Sequence, residues 1–306
     1  MTRLVGGIEA GGTKFVCAVG TCPADLVRTQ FPTAADPYQT LHEVTAWFLA
    51  QQGRVGTLAA MGISSFGPVD LNPESPTYGY ITSTPKPGWD HFNLVGQVSA
   101  ALNLPVGFDT DVNGAALGEH IWGAARGLST FVYVTVGTGI GGGGMAAGRL
   151  LHGLVHPEMG HMLIPHDVAI DPFAGSCPYH GDCWEGLAAG PAFIGRWKTP
   201  AHELAADHPG WPLEAHYIGS ALANIVCALS PQRIIVGGGI AKGGKLGQGN
   251  FFTLVQARLQ DALGGYLRSA SILEHMDTYV VPPALRDDAG VCGAIALAQR
   301  KLNAID

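Results

Sequence analysis

Two segments of this chain share one layout, and that repetition restricts its fold more than any other feature. Leu4-Val5-Gly6-Gly7-Ile8 is an apolar run, Ala10-Gly11-Gly12-Thr13 is a turn, and Phe15-Val16-Cys17-Ala18-Val19 is apolar again. Phe131-Val132-Tyr133-Val134-Thr135-Val136 then meets Gly137-Thr138-Gly139-Ile140 and the glycine run Gly141 to Gly144 in the same order. Short apolar runs joined by glycine turns read as β-hairpins. One hairpin at the start and another in mid-chain indicate two related halves. A chain of 306 residues is long enough for two domains with a cleft between them.

Elsewhere strands alternate with helices. Leu41, Val44, Trp47 and Phe48 recur at helical spacing within 38–52, and residues 59–64 read as a short buried strand. Residues 68–93 form an irregular stretch punctuated by Pro68, Pro73, Pro76, Pro85 and Pro87. A strand at 106–108 precedes a helix expected from Val112 to Arg126, capped by Asp109 or Thr110. Residues 151–185 read as a loop-dominated insert rich in His, Pro, Gly and Cys. A helix follows at 213–229, then a strand at 233–236 ending in Gly237-Gly238-Gly239, then a closing helix at 289–302. This alternation defines an α/β fold.

The formal net charge is −7 and no Lys/Arg block stands out, so the electrostatic footprint of a nucleic-acid partner is missing. The start Met1-Thr2-Arg3-Leu4-Val5 enters a strand without a signal-peptide pattern. No run reaches the roughly 18 apolar residues that a membrane span needs. The expectation is a cytoplasmic protein with no membrane partner. Cys17, Cys22, Cys227 and Cys292 lie scattered in apolar surroundings and read as free thiols.

The turns Gly11-Gly12-Thr13-Lys14 and Gly137-Thr138-Gly139 are candidate phosphate loops. Phosphate needs backbone N–H groups converging on one spot, and glycine lets the chain come close. The P-loop pattern is absent, and a tight hairpin that binds nothing is the alternative for either turn alone. Gly237-Gly238-Gly239, at the carboxyl end of a strand, is a third candidate, suited to a flat adenine and its ribose.

His161, Cys177, His180 and Cys183 give the spacing H-x15-C-x2-H-x2-C. Two thiols and two imidazoles suit a closed tetrahedral Zn²⁺ site. The alternatives are a Cys177–Cys183 disulfide or unrelated surface residues. His152, His156 and His166 read as surface histidines and as substitutes in the ligand set. His161 can bind a metal through one ring nitrogen and offer the other N–H to a hydroxyl.

Asp111 stands at the start of its helix, where the N-terminus favours the ionised carboxylate and leaves it able to accept a proton. A plain capping residue is the alternative. Glu158 and Glu185, beside His161 and Cys183, are candidates to accept hydrogen bonds from vicinal sugar hydroxyls.

Taken together, six stretches resemble the ROK sugar kinases, and within them the bacterial zinc-containing fructokinases. They are Gly6 to Phe15, Asp111 to Glu119, Val136 to Gly142, Glu158 to His161, Cys177 to Glu185, and Val236 to Ile240. They come in family order along nearly the whole chain. The resemblance implies an actin-like (ribonuclease H-like) two-domain ATPase fold with ATP and sugar in the interdomain cleft. The domains expected are 1–119 plus 289–306, and 120–288 carrying the zinc-binding insert. It implies Asp111 as general base, and Asn113, Glu158, His161 and Glu185 as sugar-binding residues. Zn²⁺ would sit on His161, Cys177, His180 and Cys183. Gly11, Gly12, Thr13, Lys14, Gly137, Thr138, Gly139, Ala188, Val236, Gly237, Gly238, Gly239 and Ile240 would face the nucleotide, which Mg²⁺ accompanies. A homodimer is implied as well. Many family members have Asp where this chain has Glu9, and Asn where it has Thr110; both variants look like the fructokinase branch. ROK-type regulators carry a DNA-binding segment ahead of the first hairpin, and here that hairpin begins within ten residues of Met1.

Overall fold

The computed structural model describes residues 3–304, and these form two units. One combines Met1–Arg126, Leu150–Pro157 and Ala284–Asp306. The other comprises Gly127–Arg149 and Glu158–Pro283.

The first unit opens with β1 (Val5–Ala10) and β2 (Lys14–Gly20), paired antiparallel, with Ala10 opposite Phe15. β3 (Val27–Pro32) pairs with the outer side of β2 and is largely exposed, as an edge strand can be. Helix α1 (Pro37–Val55) follows; the Asp36 side chain accepts from the Tyr38 N–H, and Pro37 fits the first turn. β4 (Met61–Ser65), the short pair β5 (Tyr80–Ile81) and β6 (Phe92–Asn93), α2 (Leu94–Leu102), β7 (Val106–Thr110) and α3 (Asp111–Trp122) complete the run. The sheet order is β3-β2-β1-β4-β7, with β4 parallel to both β1 and β7. β4 is buried on both faces, as a central parallel strand requires, and the edge strand β7 is buried along its whole length as well.

The proline-rich stretch is irregular but anchored. Trp89 is fully buried, its indole N–H donates to the Ala34 carbonyl at 2.9 Å, and its ring centroid lies 5.2 Å from Phe15, 5.7 Å from Phe66 and 5.4 Å from Phe92. Burying an aromatic of this size removes about 200 Å² from water, an upper estimate of roughly 5 kcal/mol.

The C-terminal helix (Ala289–Asn303) closes this unit by backbone-to-backbone packing. A Cβ on Gly62 in β4 would overlap the Ala294 carbonyl, and one on Gly293 would overlap the Gly114 carbonyl in α3. Only glycine admits so close an approach.

Helix α3 was expected to reach Arg126, but it ends at Trp122, with Gly123 as its cap. The cause is Glu119. Its fully buried carboxylate accepts from the Ala124 N–H at 2.6 Å and from the Ala284 and Leu285 N–H groups at 3.1 and 2.8 Å. That capture draws the chain out of the helix.

The second unit repeats the plan. β8 (Phe131–Val136) and β9 (Ile140–Ala146) are antiparallel, followed by β10 (Arg149–Leu150). After the insert come α4 (Trp184–Ala188), α5 (Gly190–Trp197) and α6 (Gly210–Leu229). β11 (Ile234–Gly237), α7 (Gln248–Leu263), α8 (Ala270–Leu273), α9 (Met276–Tyr279) and β12 (Val280–Val281) finish it. The sheet order is β10-β9-β8-β11-β12, with β11 parallel to β8 and β12. Each sheet thus places a hairpin beside two parallel strands, which is the duplication the paired glycine turns foretell. Among the described residues no helix is long and apolar enough to cross a membrane.

Candidate functional site

In the first unit, Gly11 to Lys14 form the turn between β1 and β2. The Gly11 N–H donates to the Lys14 carbonyl at 3.0 Å, while the Thr33 hydroxyl donates to the Gly11 carbonyl at 2.7 Å. The Thr33 N–H holds the Thr13 carbonyl at 3.0 Å. The turn is therefore fixed through its carbonyls, and the space beside the Gly12 Cα is open. The Lys14 ammonium lies 3.1 Å from the Gln30 amide oxygen, along the strand and away from the turn.

Asp111 is the first residue of α3. The Thr110 hydroxyl caps the helix by accepting from the Asn113 N–H at 3.1 Å, and Asp111 Oδ1 accepts from the Val112 N–H at 2.8 Å. Thr110, not Asp109, is the cap. Burial pushes the Asp111 carboxyl up to about 6, against the pull of the Val112 N–H and its own. The helix N-terminus alone would lower it, by about 0.3–1 kcal/mol, less than one pKa unit. Burial is the larger effect. Near neutral pH the group remains mostly ionised and is poised to take a proton.

Glu9 faces the same region. Burial first, then the Asp111 carboxylate, raises it to about 7, while Lys14 and the Val291 N–H pull the other way. Its Oε2 is buried without a hydrogen-bond partner among the described residues. Asn113 is fully buried, and its amide nitrogen donates to Asp109 Oδ1 at 2.9 Å and to the Leu151 carbonyl at 3.1 Å.

In the second unit, the Gly137 N–H donates to the Gly139 carbonyl at 2.9 Å, and the Gly190 N–H at the start of α5 donates to the Gly137 carbonyl at 2.7 Å. Glu185 Oε2 accepts from the Ile140 N–H at 2.8 Å. Thr138 stands exposed at the tip. Ala188 is fully buried at the end of α4. Val236 and Ile240 are buried, and Gly238 has φ +93° against the Val136 backbone, a conformation open to glycine. Gly237 lies against the Tyr133 ring and Gly239 is exposed.

The four metal-ligand candidates converge. One donor atom from each of His161, Cys177, His180 and Cys183 lies within 4.8 Å of the others. Cys177 Sγ is 3.7 Å from Nδ1 of both His161 and His180, and Cys183 Sγ is 3.6 Å from His161 Nδ1. Tetrahedral Zn²⁺ with its usual bond lengths sets sulfur and nitrogen about 3.5 Å apart. The donor set and its spacing both fit that ion. Cys177 and Cys183 are free thiols, so the disulfide alternative does not apply. Burial and the neighbouring Cys177 hold the Cys183 thiol above its ordinary value, so its thiolate needs a cation to exist near neutral pH. Glu158 is exposed, and its carbonyl accepts from the His161 N–H at 3.0 Å.

Two of the expected surface histidines are buried. His156 Nε2 accepts from the Val69 N–H at 3.1 Å, and burial lowers its pKa. His166 lies between Asp182 (3.1 Å) and the Asp171 carbonyl (2.9 Å). Neither joins the thiol cluster, because each is committed to a partner elsewhere. Sequence reasoning missed the Asp109–His152 contact at 2.8 Å, and a separation of 43 positions left no signal for it.

A duplicated α/β plan with a glycine hairpin in each half is that of the actin-like phosphotransferases. The chain belongs to the ROK family, whose model matches residues 5–301. A Bacillus subtilis relative is 45% identical over 98% of this chain and 97% of its own length. The protein named fructokinase from Pediococcus pentosaceus is 38% identical over 98% of this chain and 99% of its own, and that from Zymomonas mobilis is 39% identical over 97% and 96%. Among solved structures, the ROK hexokinase from Thermus thermophilus superposes with a TM-score of 0.76 at 27% identity, covering 98% of this chain and 99% of that one.

Proposed function

We propose that this ROK-family protein is an ATP-dependent kinase that phosphorylates D-fructose to fructose 6-phosphate. The carboxyl of Asp111 carries the reading: it stands at a helix start, with burial holding it at about 6. The fructokinase names of two near-full-length relatives supply the preference for fructose. Asp111 accepts the proton of the sugar 6-hydroxyl as the O6–phosphorus bond forms. The bond from the γ-phosphorus to the bridging oxygen breaks, and ADP leaves with the electron pair. Phosphoryl transfer needs alignment and charge neutralisation more than covalent help, so the Gly11–Lys14 and Gly137–Gly139 turns are assigned to the phosphates. Val236 to Ile240 and Ala188 are assigned to the nucleotide, which enters as its Mg²⁺ complex. Glu158, His161 and Glu185 receive the sugar hydroxyls.

His161, Cys177, His180 and Cys183 would hold a structural Zn²⁺, which would brace the insert and fix the His161 ring. With Nδ1 turned to the thiols, His161 keeps Nε2 for a hydroxyl. The same reading takes the protein to work in the cytoplasm and, on the family resemblance, as a homodimer. ADP release, coupled to a spectrophotometric readout across fructose, mannose, glucose and N-acetylmannosamine, tests the assignment. Fructose should give the highest kcat/KM, and Asp111→Asn should lower kcat about 10²-fold or more. Near-normal turnover of that variant would defeat the role given to Asp111.

A further inference from the structure

The first turn of α3 is tied to two other segments by a polar cluster that the proposed reaction does not use. Asp109 Oδ1 accepts from the Thr110 N–H at 2.8 Å and from the Asn113 side-chain amide at 2.9 Å. Asp109 Oδ2 meets His152 Nε2 at 2.8 Å. A carboxylate can only accept, so Nε2 carries the proton. The second amide proton of Asn113 goes to the Leu151 carbonyl at 3.1 Å, one residue before His152. Three pieces of chain thereby meet around one nearly inaccessible carboxylate: the end of β7, the start of α3, and the Leu150–Pro157 segment.

We propose that Asp109, Asn113 and His152 are positioning residues that fix the direction of Asp111, and that Asn113 donates no hydrogen bond to the sugar. The inference rests on Asp111 being the base. Both amide protons of Asn113 are spent inside the protein, and the residue is fully buried. Asp111 lies between Asp109 and Asn113 in sequence, so its backbone is held from both sides. His152 supplies the outermost bond of the cluster, its side chain being 45% exposed while that of Asp109 is 3% exposed. The Asp109 hydrogen bond raises the His152 pKa against the effects of burial and Arg300, which makes the contact charge-assisted over more of the pH range.

A residue that acts only on the direction of a base stabilises the transition state and leaves ground-state sugar binding alone. His152 is the member to change, because its exposure lets the fold survive substitution. In full-length protein, His152→Ala should lower kcat roughly tenfold and leave KM for fructose within about twofold. His152→Gln, which can still donate to Asp109, should restore most of kcat. A raised KM with kcat preserved would make His152 a sugar contact and overturn the inference. Unchanged kinetics in the Ala variant, or failure of Gln to rescue, would overturn it equally. Full activity in Asp111→Asn would instead remove the base assignment, an outcome read independently of His152.

Discussion

The Glu185 carboxylate holds the Ile140 N–H at 2.8 Å and so ties the start of α4 to the far side of the Gly137–Gly139 turn. One oxygen of this proposed sugar ligand is already engaged on a proposed phosphate loop. Loss of a hydrogen bond to a charged group costs about 1.5–3 kcal/mol, roughly a tenfold effect or more. Glu185→Ala is therefore expected to raise KM for ATP as well as for fructose by about that factor. Steady-state kinetics with each substrate varied would check this; a change confined to fructose would show that the turn does not depend on the bond.

The rate should follow the ionisation of Asp111. Its carboxyl sits at about 6, and only the deprotonated form accepts a proton. kcat/KM should therefore fall as pH drops through about 6, with the slope of a single group, and level off above it. A profile flat down to the ordinary carboxylate range would contradict the burial of this group.

Glu9 should make the fold less stable as pH rises. Its folded value is about 7, above the ordinary 4.5, so the folded state keeps a proton that the unfolded state has released. Stability attributable to this group is fully present below 4.5 and is lost progressively as pH climbs through about 7. Glu9→Gln removes the titration. The difference in melting temperature between pH 5 and pH 8 should shrink in that variant, as measured by calorimetry. A difference as large as in the parent would show that other groups govern it.

The His/Cys cluster predicts one zinc per chain. Cys183→Ser should lose the metal, because the hydroxyl is a poor ligand beside a thiolate. Elemental analysis of the purified protein and of the variant would check it. Chelation should lower the melting temperature of the parent and leave that of the variant unmoved. Protein free of zinc when purified without chelators would remove the assignment.

The elements most legible in the sequence were those with strong local patterns. The hairpins announce themselves through glycine between apolar runs, and the His/Cys spacing is compact enough to bring four donor atoms together. β3 carries no such pattern, because an exposed edge strand has no buried face to alternate against. Helix α7 has only a weak sequence signature, although Phe251, Val255, Leu259 and Leu263 recur every four residues and are buried. Its start at Gln248-Gly249-Asn250 lacks a capping signal and follows a glycine-rich turn. The environment of Asp111 is only partly encoded locally. Its place at a helix start is local information, whereas the burial that outweighs the helix field comes from packing. Asp109–His152 and Glu119–Leu285 are contacts across long stretches of sequence, which no local pattern encodes.

The glycine-to-backbone seam between β4, α3 and the C-terminal helix bears on how the polypeptide matures. During synthesis the ribosome delivers everything up to Arg126 long before Ala289 emerges, so the first sheet must wait with part of one face uncovered. The second unit is delivered in that interval and can consolidate first. A nascent protein halted before Ala289 would expose that bare face to chaperones and proteases, even with every proposed site residue from Gly11 to Ile240 already made.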